Sequence, residues 1–253
     1  MLTFSLQSGS NGNAIYVEAD GVSLLFDAGI SGRQAELRLQ QFGKDIRDVT
    51  ALLISHDHAD HIRCAGIYHR KFGLPVFVTP QTLARTPCTL GDISHVEHFF
   101  AGDVISFGLV RVYTIPTPHD AADGVAFVVE SKGNRLGIFT DLGHLFPELI
   151  DWLSDVDGAY LESNYDPQML AEGPYPPHLK QRIRGPHGHL SNAESARLAA
   201  QVGNERLRWL ALAHLSEQNN CPSVALETHR RVHGGIVPLH VAGRYGPSEV
   251  FRL

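Results

Sequence analysis

The stretch Ile54 to His61 (ISHDHADH) places three imidazoles and two carboxylates within eight consecutive residues. Neutral imidazole and carboxylate bind Zn, Mn or Fe, and a site without thiolate ligands can keep a coordination position open for water. His56 and His58 are two residues apart, so their side chains point to the same side of an extended chain. Asp57 lies between them and points away, so we do not count it as a ligand. The sequence therefore predicts a metal site.

The metal-binding stretch begins where a continuously apolar run, Val49 to Ile54, ends, and such a run is typical of a strand buried on both faces. Asp60 and His61 come at the predicted start of a helix that continues from Ile62 to Phe72. The change of direction turns these two side chains toward a different point from the first two histidines, which favours two adjacent metal ions over one. A polar helix start with incidental histidines is the alternative, but polar groups seldom cluster so densely after an apolar strand.

The composition is that of an ordinary globular protein of 253 residues with 43% hydrophobic residues. A net charge of -6 argues against a protein that coats nucleic acid, although it leaves a local basic patch open. Three cysteines without regular spacing give no disulfide framework and fit a reducing cytosol. We see no secretory signal in the first residues and no apolar stretch approaching the roughly 20 residues of a membrane span. The sequence therefore predicts a cytoplasmic protein without a membrane partner.

Hydrophobic patterns predict many short strands separated by helices, and the absence of a repeat or linker predicts one domain over residues 1–253. The predicted helices are Arg33 to Phe42, Ile62 to Phe72, Leu179 to Arg184, Ala193 to Val202 and Ser223 to Val232. The predicted strands are Leu2 to Gln7, Ala14 to Val17, Val22 to Phe26, Val49 to Ile54, Val76 to Val78, Val96 to Phe100, Val104 to Phe107, Leu109 to Ile115, Val125 to Glu130, Arg135 to Phe139, Asp157 to Glu162, Leu207 to Ala213, Ile236 to Val241 and Glu249 to Leu253.

The loop after the first predicted strand, residues 8–13 (SGSNGN), allows two interpretations. It is a flexible hairpin connection, as its composition suggests. Alternatively, its free backbone N–H groups line a site and meet an anionic substrate. The second interpretation makes Ser10 and Asn11 candidate substrate contacts.

The pattern HxHxDH after a hydrophobic strand resembles the signature of the metallo-β-lactamase fold superfamily. This resemblance implies an α/β fold, a four-layered αβ/βα sandwich of two mixed sheets flanked by helices. Such a sandwich would gather strand ends from most of the chain along one edge. The pattern is specific for the fold and not for the substrate.

Further polar residues follow other predicted strands, and the resemblance assigns each a role. It implies that the first metal is bound by His56, His58 and His119, and the second by Asp60, His61 and His214. It implies that Asp141 bridges the two metals, that Asp27 supports the histidine loop without binding metal, and that Glu162 lies behind the ligands. Asp60 is also a candidate catalytic residue. Two ions roughly 3.5 to 4 Å apart can share a hydroxide, so no serine or cysteine nucleophile is required.

Three segments outside the ligands bear on the substrate: SGSNGN, LESNYD with GPYP, and RIRGPHGHLSN. Together they resemble the YycJ/WalJ-like branch of the superfamily over nearly the whole chain. That branch is associated with 5′ to 3′ exonuclease action on double-stranded DNA. The resemblance implies a phosphodiesterase or nuclease whose partner is nucleic acid or another phosphodiester, with Asn164 among the residues near the substrate.

His189 is the candidate catalytic residue outside the ligand set. It precedes a predicted helix N-terminus, where backbone N–H groups and the helix dipole favour an anion. Lys180, Arg182 and Arg184 lie close in sequence. We expect His189, with Arg184 and this basic helix, to contact a phosphate and to protonate the leaving oxygen. The alternative is a capping or core histidine beside solvated arginines.

Two other functions remain open. Hydrolysis of a small ester, thioester, lactone or cyclic phosphodiester fits the acidic net charge, because a DNA enzyme usually has a basic footprint. A redox or sensory module that binds iron is a different class, and no flavin or haem motif or partner domain supports it. The expected cofactors are two divalent ions, Zn or Mn, with Fe as a further candidate. Metal identity, cleavage polarity and oligomeric state do not follow from the sequence.

Overall fold

The computed structural model describes residues 1–202, 206–234 and 237–253. The strands are β1 (Leu2–Gln7), β2 (Ala14–Ala19), β3 (Val22–Phe26), β4 (Ala51–Leu53), β5 (Val76–Val78), β6 (Val96–His98), β7 (Val104–Phe107), β8 (Val110–Pro116), β9 (Val125–Ser131), β10 (Asn134–Phe139), β11 (Gly158–Glu162), β12 (Trp209–Ala213), β13 (Leu239–Val241) and β14 (Phe251–Arg252). The α-helices are α1 (Gly32–Gln40), α2 (Ala59–Ile62), α3 (Ala65–Phe72), α4 (Pro80–Arg85), α5 (Pro147–Ser154), α6 (Pro167–Glu172), α7 (Pro177–Arg184), α8 (Asn192–Val202) and α9 (Pro222–His233).

The strands form two sheets of seven strands each, with the orders β14-β1-β2-β3-β4-β5-β6 and β13-β12-β11-β10-β9-β8-β7. In the first sheet, β1 to β3 pair as an antiparallel meander and β3 to β6 continue in parallel. In the second sheet, β7 to β10 are antiparallel and β10 to β13 are parallel. Both sheets are therefore mixed, and the predicted α/β sandwich is confirmed.

Three apolar clusters hold the layers together. The first lies between the sheets, where for example the rings of Phe26 and Phe127 are 5.0 Å apart. The second joins the outer face of the first sheet to α1 and α3, through residues such as Leu39 and Tyr68. The third joins the outer face of the second sheet to α5, α8 and α9, for example through Leu153. These clusters produce the order helix, sheet, sheet, helix, because each sheet buries both of its faces.

The sheet topology brings the ends of distant strands to one edge of the sandwich. β3, β4, β10, β11 and β12 are all members of the parallel parts of the two sheets. In such sheets the carboxyl ends of the strands share an edge, and ligands bind there. Polar residues that follow these strands are therefore neighbours in space.

The helices differ most from their prediction. The predicted helix from Ile62 to Phe72 is wrong in its first turns, because the chain forms α2 and α3 with a break at Cys64, whose N–H donates to the carbonyl oxygen of Ala28 instead of continuing a helix. Three helices, α4, α5 and α6, were not predicted. Each begins with a proline, a residue that is common in loops but also suits the first position of a helix. Ile236, the predicted start of the penultimate strand, lies outside the described residues.

No helix among the described residues combines the length and the apolar character needed to cross a membrane.

Candidate metal centre

The first group of candidate ligands consists of His56, His58 and His119, which offer one nitrogen each within 4.8 Å of one another. His56 and His58 follow β4, and His119 lies in the loop after β8. Nδ1 of His58 is 3.3 Å from Nε2 of His119. His56 is buried, so its nitrogen faces the other donors and not bulk water. The structure thus brings together the three histidines that the resemblance assigns to the first metal.

The second group consists of Asp60, His61 and His214, whose donor atoms also lie within 4.8 Å of one another. Oδ2 of Asp60 is 3.7 Å from Nε2 of His61 and 3.4 Å from Nε2 of His214. Asp60 and His61 lie on the short helix α2, and His214 follows β12. A side chain from the far end of the sequence therefore completes the group.

Asp141 lies between the two groups, two residues after the end of β10. Its Oδ2 is 3.2 Å from Nε2 of His61, and its Oδ1 is 3.7 Å from Nε2 of His119. One carboxylate therefore reaches a candidate ligand from each group. This is the position that a bridging ligand requires.

Hydrogen bonds fix the direction of the histidine rings. Asp27 Oδ2 accepts from Nδ1 of His61 at 2.7 Å, and Asp27 also accepts from the backbone N–H and the hydroxyl of Ser55. The Nδ1–H of His119 donates to the carbonyl oxygen of Gly188 at 2.8 Å. In both rings, Nε2 is left to face the cluster. Asp27 thus supports the histidine loop from behind, as carboxylates commonly do at metal sites.

Two buried atoms of the cluster show that its residues fit a divalent metal. Nε2 of His56 and Oδ2 of Asp141 are among the few buried side-chain atoms of the described residues that have no hydrogen-bond partner. Burying polar atoms without hydrogen-bond partners is unfavourable, so these two atoms require an explanation, such as a bound ion. A donor set of imidazole nitrogens and carboxylate oxygens suits Zn, Mn or Fe.

Burial and electrostatic interactions within the cluster shift the pKa values of two of its histidines in opposite directions. Burial and repulsion from neighbouring imidazoles lower the pKa of His56, which keeps its ring neutral and able to bind a cation. Burial also disfavours the charged form of His61, but the attraction of Asp141, Asp27 and Asp60 outweighs burial and raises its pKa to about 9. A divalent ion bound by His61 would therefore have to displace the proton that these carboxylates favour.

Three residues of the site have a left-handed backbone conformation. The φ angles are 67° at Asp27, 58° at Asp141 and 56° at His214. Asp27 directly follows β3 and His214 directly follows β12, while Asp141 lies two residues after the end of β10. The conformation is unfavourable for most residues with a side chain, although Asp tolerates it better than most, and such residues cluster at functional sites.

Glu162, at the end of β11, is completely buried behind the cluster. Its Oε2 accepts from the backbone N–H groups of Leu142 and Leu190, at 3.1 and 3.3 Å. Its Oε1 accepts from Nδ1 of His189 at 2.7 Å and lies 3.4 Å from Nδ1 of His214. Glu162 therefore fixes the ring of His189, and Nε2 is the ring atom of His189 that remains for a substrate.

A cleft of about 330 Å³ opens onto the cluster. Of the predicted substrate contacts, Ser10, Asn164 and His189 line it. Asn11 is instead held by Arg244, whose Nη1 donates to the side-chain oxygen of Asn11 at 3.0 Å. The other lining residues are His58, Ala59, Asp60, Pro87, Asp141, Tyr175, Leu179, Arg182, Ile183, His214 and Ser216.

The structure places Arg184 elsewhere than predicted. Its Nε donates to the carbonyl oxygen of Lys180, and Arg184 is not among the residues that line the cleft. Arg182, one of the neighbouring basic residues, lies in the cleft instead. The reason is helical geometry, because residues two positions apart on a helix point to different sides.

Bonds within the protein use most of the backbone N–H groups of the loop of residues 8–13, so at Gly9, Gly12 and Asn13 these groups are not available to an anion. Gly9 donates to the side chain of Asn13, Gly12 donates to the carbonyl oxygen of Gly9, and Asn13 donates to the carbonyl oxygen of Asp60. These internal bonds make the loop a support for the cluster. Asn13 is a site residue that was not predicted from the sequence. Its Nδ2 is 2.9 Å from Nε2 of His61. Its position within SGSNGN gave no sign that it would be buried.

The chain is similar to known proteins in sequence and in fold. The family described as Beta-lactamase superfamily domain matches residues 23–210. The exodeoxyribonuclease YycJ of Bacillus anthracis is 35% identical to this chain over 222 residues, which is 87% of this chain and 84% of the relative. The exodeoxyribonuclease WalJ of Streptococcus pneumoniae serotype 2 is 32% identical over 224 residues, with coverages of 87% and 83%.

One solved structure is similar over the whole of both chains: the metallo-beta-lactamase fold protein YhfI from Bacillus subtilis, with a TM-score of 0.75. Its sequence is 16% identical to this chain, so the likeness concerns the fold alone.

Proposed function

Because the chain belongs to the beta-lactamase superfamily and is a metal-dependent hydrolase, we propose that it is a phosphodiesterase that degrades DNA from a strand end. The family resemblance inferred from the sequence motifs is confirmed. One observation carries the proposal: the seven predicted ligands all belong to groups of converging nitrogen and oxygen donors at the sheet edge, and the cleft above them is lined by Arg182 and His189. Two relatives named as exodeoxyribonucleases support DNA as the substrate.

The proposed site would hold two divalent ions, Zn or Mn, or alternatively Fe. His56, His58 and His119 would bind one ion, Asp60, His61 and His214 the other, and Asp141 both. When bound, such ions supply a nucleophile from water near neutral pH and polarise the phosphoryl oxygens of the substrate. The side chains themselves would hold the ions, and Asp27 and Gly188 keep the rings of His61 and His119 oriented.

His189 and Arg182 act directly on the substrate in this proposal. The guanidinium of Arg182 binds a phosphate oxygen, since Arg presents several N–H donors in a fixed plane. Nε2 of His189 donates a proton to the oxygen that leaves when the phosphodiester bond breaks. Glu162 holds Nδ1 of the same ring, in the way that a carboxylate orients a catalytic histidine.

Replacing His189 tests its part in the reaction. We expect His189→Ala to lower kcat on a phosphodiester about 10²- to 10⁴-fold, the usual contribution of a general acid, with metal content unchanged. Arg184→Ala is the matched control, because Arg184 bonds to Lys180 and does not line the cleft. Steady-state kinetics and elemental analysis give both quantities. Normal turnover by His189→Ala at full metal content would remove His189 from the mechanism.

The substrate class is tested by comparing four substrates in parallel: an end-labelled DNA duplex, DNA single strands, a simple phosphodiester and a thioester. We expect DNA to be shortened progressively from an end and a chelator to abolish the reaction. Activity should fall steeply with salt, because a polyanionic substrate competes with counterions. Turnover of the thioester alone would overturn the proposal.

Hydrolysis of a small ester, thioester, lactone or cyclic phosphodiester is the second candidate, and the net charge of -6 favours it. It predicts a flat response to salt. We also propose a cytoplasmic location, which the three free cysteines support, because disulfides are rare in reducing compartments.

A further inference from the structure

One wall of the cleft is built by a segment that does not belong to either sheet. Helix α7 and the loop before it contribute Tyr175, Leu179, Arg182 and Ile183 to the cleft. The last three have the spacing i, i+3 and i+4, so they share one face of the helix. This segment has a small apolar cluster of its own, separate from the three large ones, in which Tyr175 and Leu179 pack against buried side chains such as Ile183. We call residues 175–183 the α7 wall.

The α7 wall differs in chemistry from the floor of the cleft. The floor consists of imidazoles and carboxylates, including Asp60 and Asp141. The wall offers an aromatic ring, at Tyr175, and an aliphatic side chain, at Leu179, both half-buried. Metal-dependent hydrolysis of a phosphodiester requires the polar residues of the floor but does not require an apolar wall. The wall therefore matches a part of the substrate that is flat and apolar.

Arg182 connects the α7 wall to the candidate metal ligands through Asp120. Its Nε and Nη2 donate to the two carboxylate oxygens of Asp120 at 2.5 and 3.0 Å. The carbonyl oxygen of Asp120 accepts from Nε2 of His58, and its Oδ1 lies 3.5 Å from Nε2 of His119. Asp120 thus holds the guanidinium beside the histidine group while leaving Nη1 for another acceptor. Arg182 is the one lysine or arginine among the described residues that line the cleft.

The size of the cleft limits what it can hold. About 330 Å³ is near the lower end of the range for small-molecule pockets, roughly 300 to 1,000 Å³. This space suits a single nucleotide and is too small for a stretch of duplex. A phosphate bound by Arg182 would place the attached nucleoside within reach of Tyr175 and Leu179.

We propose that the α7 wall is a subsite for the terminal nucleotide of the DNA strand, in which Tyr175 and Leu179 pack against the base while Arg182 binds the phosphate. The inference rests on the proposed function and adds how a strand end is recognised. Aromatic side chains bind every base through its flat face, so the subsite selects an end without selecting a sequence. A nucleotide within a duplex is stacked and paired, and it does not reach such a wall.

The test compares two DNA substrates, one with an ordinary terminal nucleotide and one whose terminal residue is abasic. Loss of a base–aromatic contact is worth about tenfold or more in binding. We therefore expect wild-type enzyme to have a kcat/KM about tenfold lower on the abasic end. Tyr175→Ala should lower kcat/KM on the ordinary end by a similar factor and leave the abasic end nearly unchanged. Tyr175→Phe keeps the ring and should behave as wild type.

Arg182→Gln provides the complementary variant, because both substrates keep the phosphate. It should lower kcat/KM on the two substrates equally. The quantity compared is the ratio of the two rates in one enzyme preparation, so a variant that is partly unfolded still gives a valid ratio. A Tyr175→Ala enzyme that keeps the wild-type ratio would overturn the subsite while DNA hydrolysis stands. A wild-type enzyme that cleaves neither DNA would overturn the proposed function, and the subsite with it.

Discussion

Replacing Asp141 by asparagine is expected to abolish phosphodiester hydrolysis and to lower the metal content. Asp141 lies 3.2 Å from His61 and 3.7 Å from His119, so it is the carboxylate that joins the two groups of ligands. Its loss should cost more than the roughly 10- to 100-fold that follows removal of an outer hydrogen-bond partner at a metal site. Elemental analysis of the purified variant and its kcat on a simple phosphodiester measure the two effects.

Asp57→Asn is the matched control for Asp141→Asn. Both substitutions remove one carboxylate charge within the same region and preserve the shape of the side chain. Asp57 Oδ1 accepts from the backbone N–H of Ala122, and asparagine keeps that bond. The control should retain its metal and its activity. Asp141→Asn enzyme with full metal content and normal turnover would contradict the assignment of a bridging ligand.

Replacing Gly29 by alanine is expected to disable the site from a position outside the ligand set. A Cβ at Gly29 would lie 1.7 Å from the carbonyl oxygen of Asp60 and 2.5 Å from the backbone nitrogen of Asn13. Backbone atoms cannot yield as a flexible side chain does, so the segment that carries Asp60 and His61 must move. The expected result is loss of metal and of most activity, together with a destabilisation of about 1–3 kcal/mol or more, as for other overpacked sites.

Gly246→Ala serves as the comparison for Gly29→Ala. A Cβ at Gly246 meets no atom within 4 Å, and Gly246 is not among the glycines with a positive φ. Thermal unfolding, metal content and kcat should therefore remain close to wild type in Gly246→Ala. If Gly29→Ala has wild-type values for all three, the close approach of Gly29 to Asp60 does not limit the position of the ligands.

Much of the fold could be predicted because local patterns and sheet topology agree. The bounds of β1, β3, β5 and β7 match the predicted strands. Each is marked by alternating or continuous apolar residues and by turn residues at its ends. The candidate ligands could be predicted from one dense motif together with single polar residues after other strands, since carboxyl ends of neighbouring parallel strands meet at one edge.

The remaining features depend on information that a single sequence lacks. The direction of Arg182 relative to Arg184 follows from the start of α7 at Pro177 and from its packing through Ile183, and both are set by tertiary contacts. Burial of Asn13 depends on Asp60, which is 47 residues away along the chain. The contact between Asp120 and Arg182 joins a loop to helix α7, and no sequence pattern relates the two residues. Substrate contacts are therefore harder to predict than ligands.

The left-handed residues at the strand ends have an evolutionary consequence. A non-glycine residue in this conformation costs about 1–3 kcal/mol, and at Asp27, Asp141 and His214 the side chain that causes this cost takes part in the site. A descendant that no longer needs the reaction would gain stability by exchanging these residues for glycine. Glycine at all three positions would then indicate a homologue that has kept the fold and lost the catalytic activity. These three backbone positions could thus help to separate active enzymes from inactive paralogues.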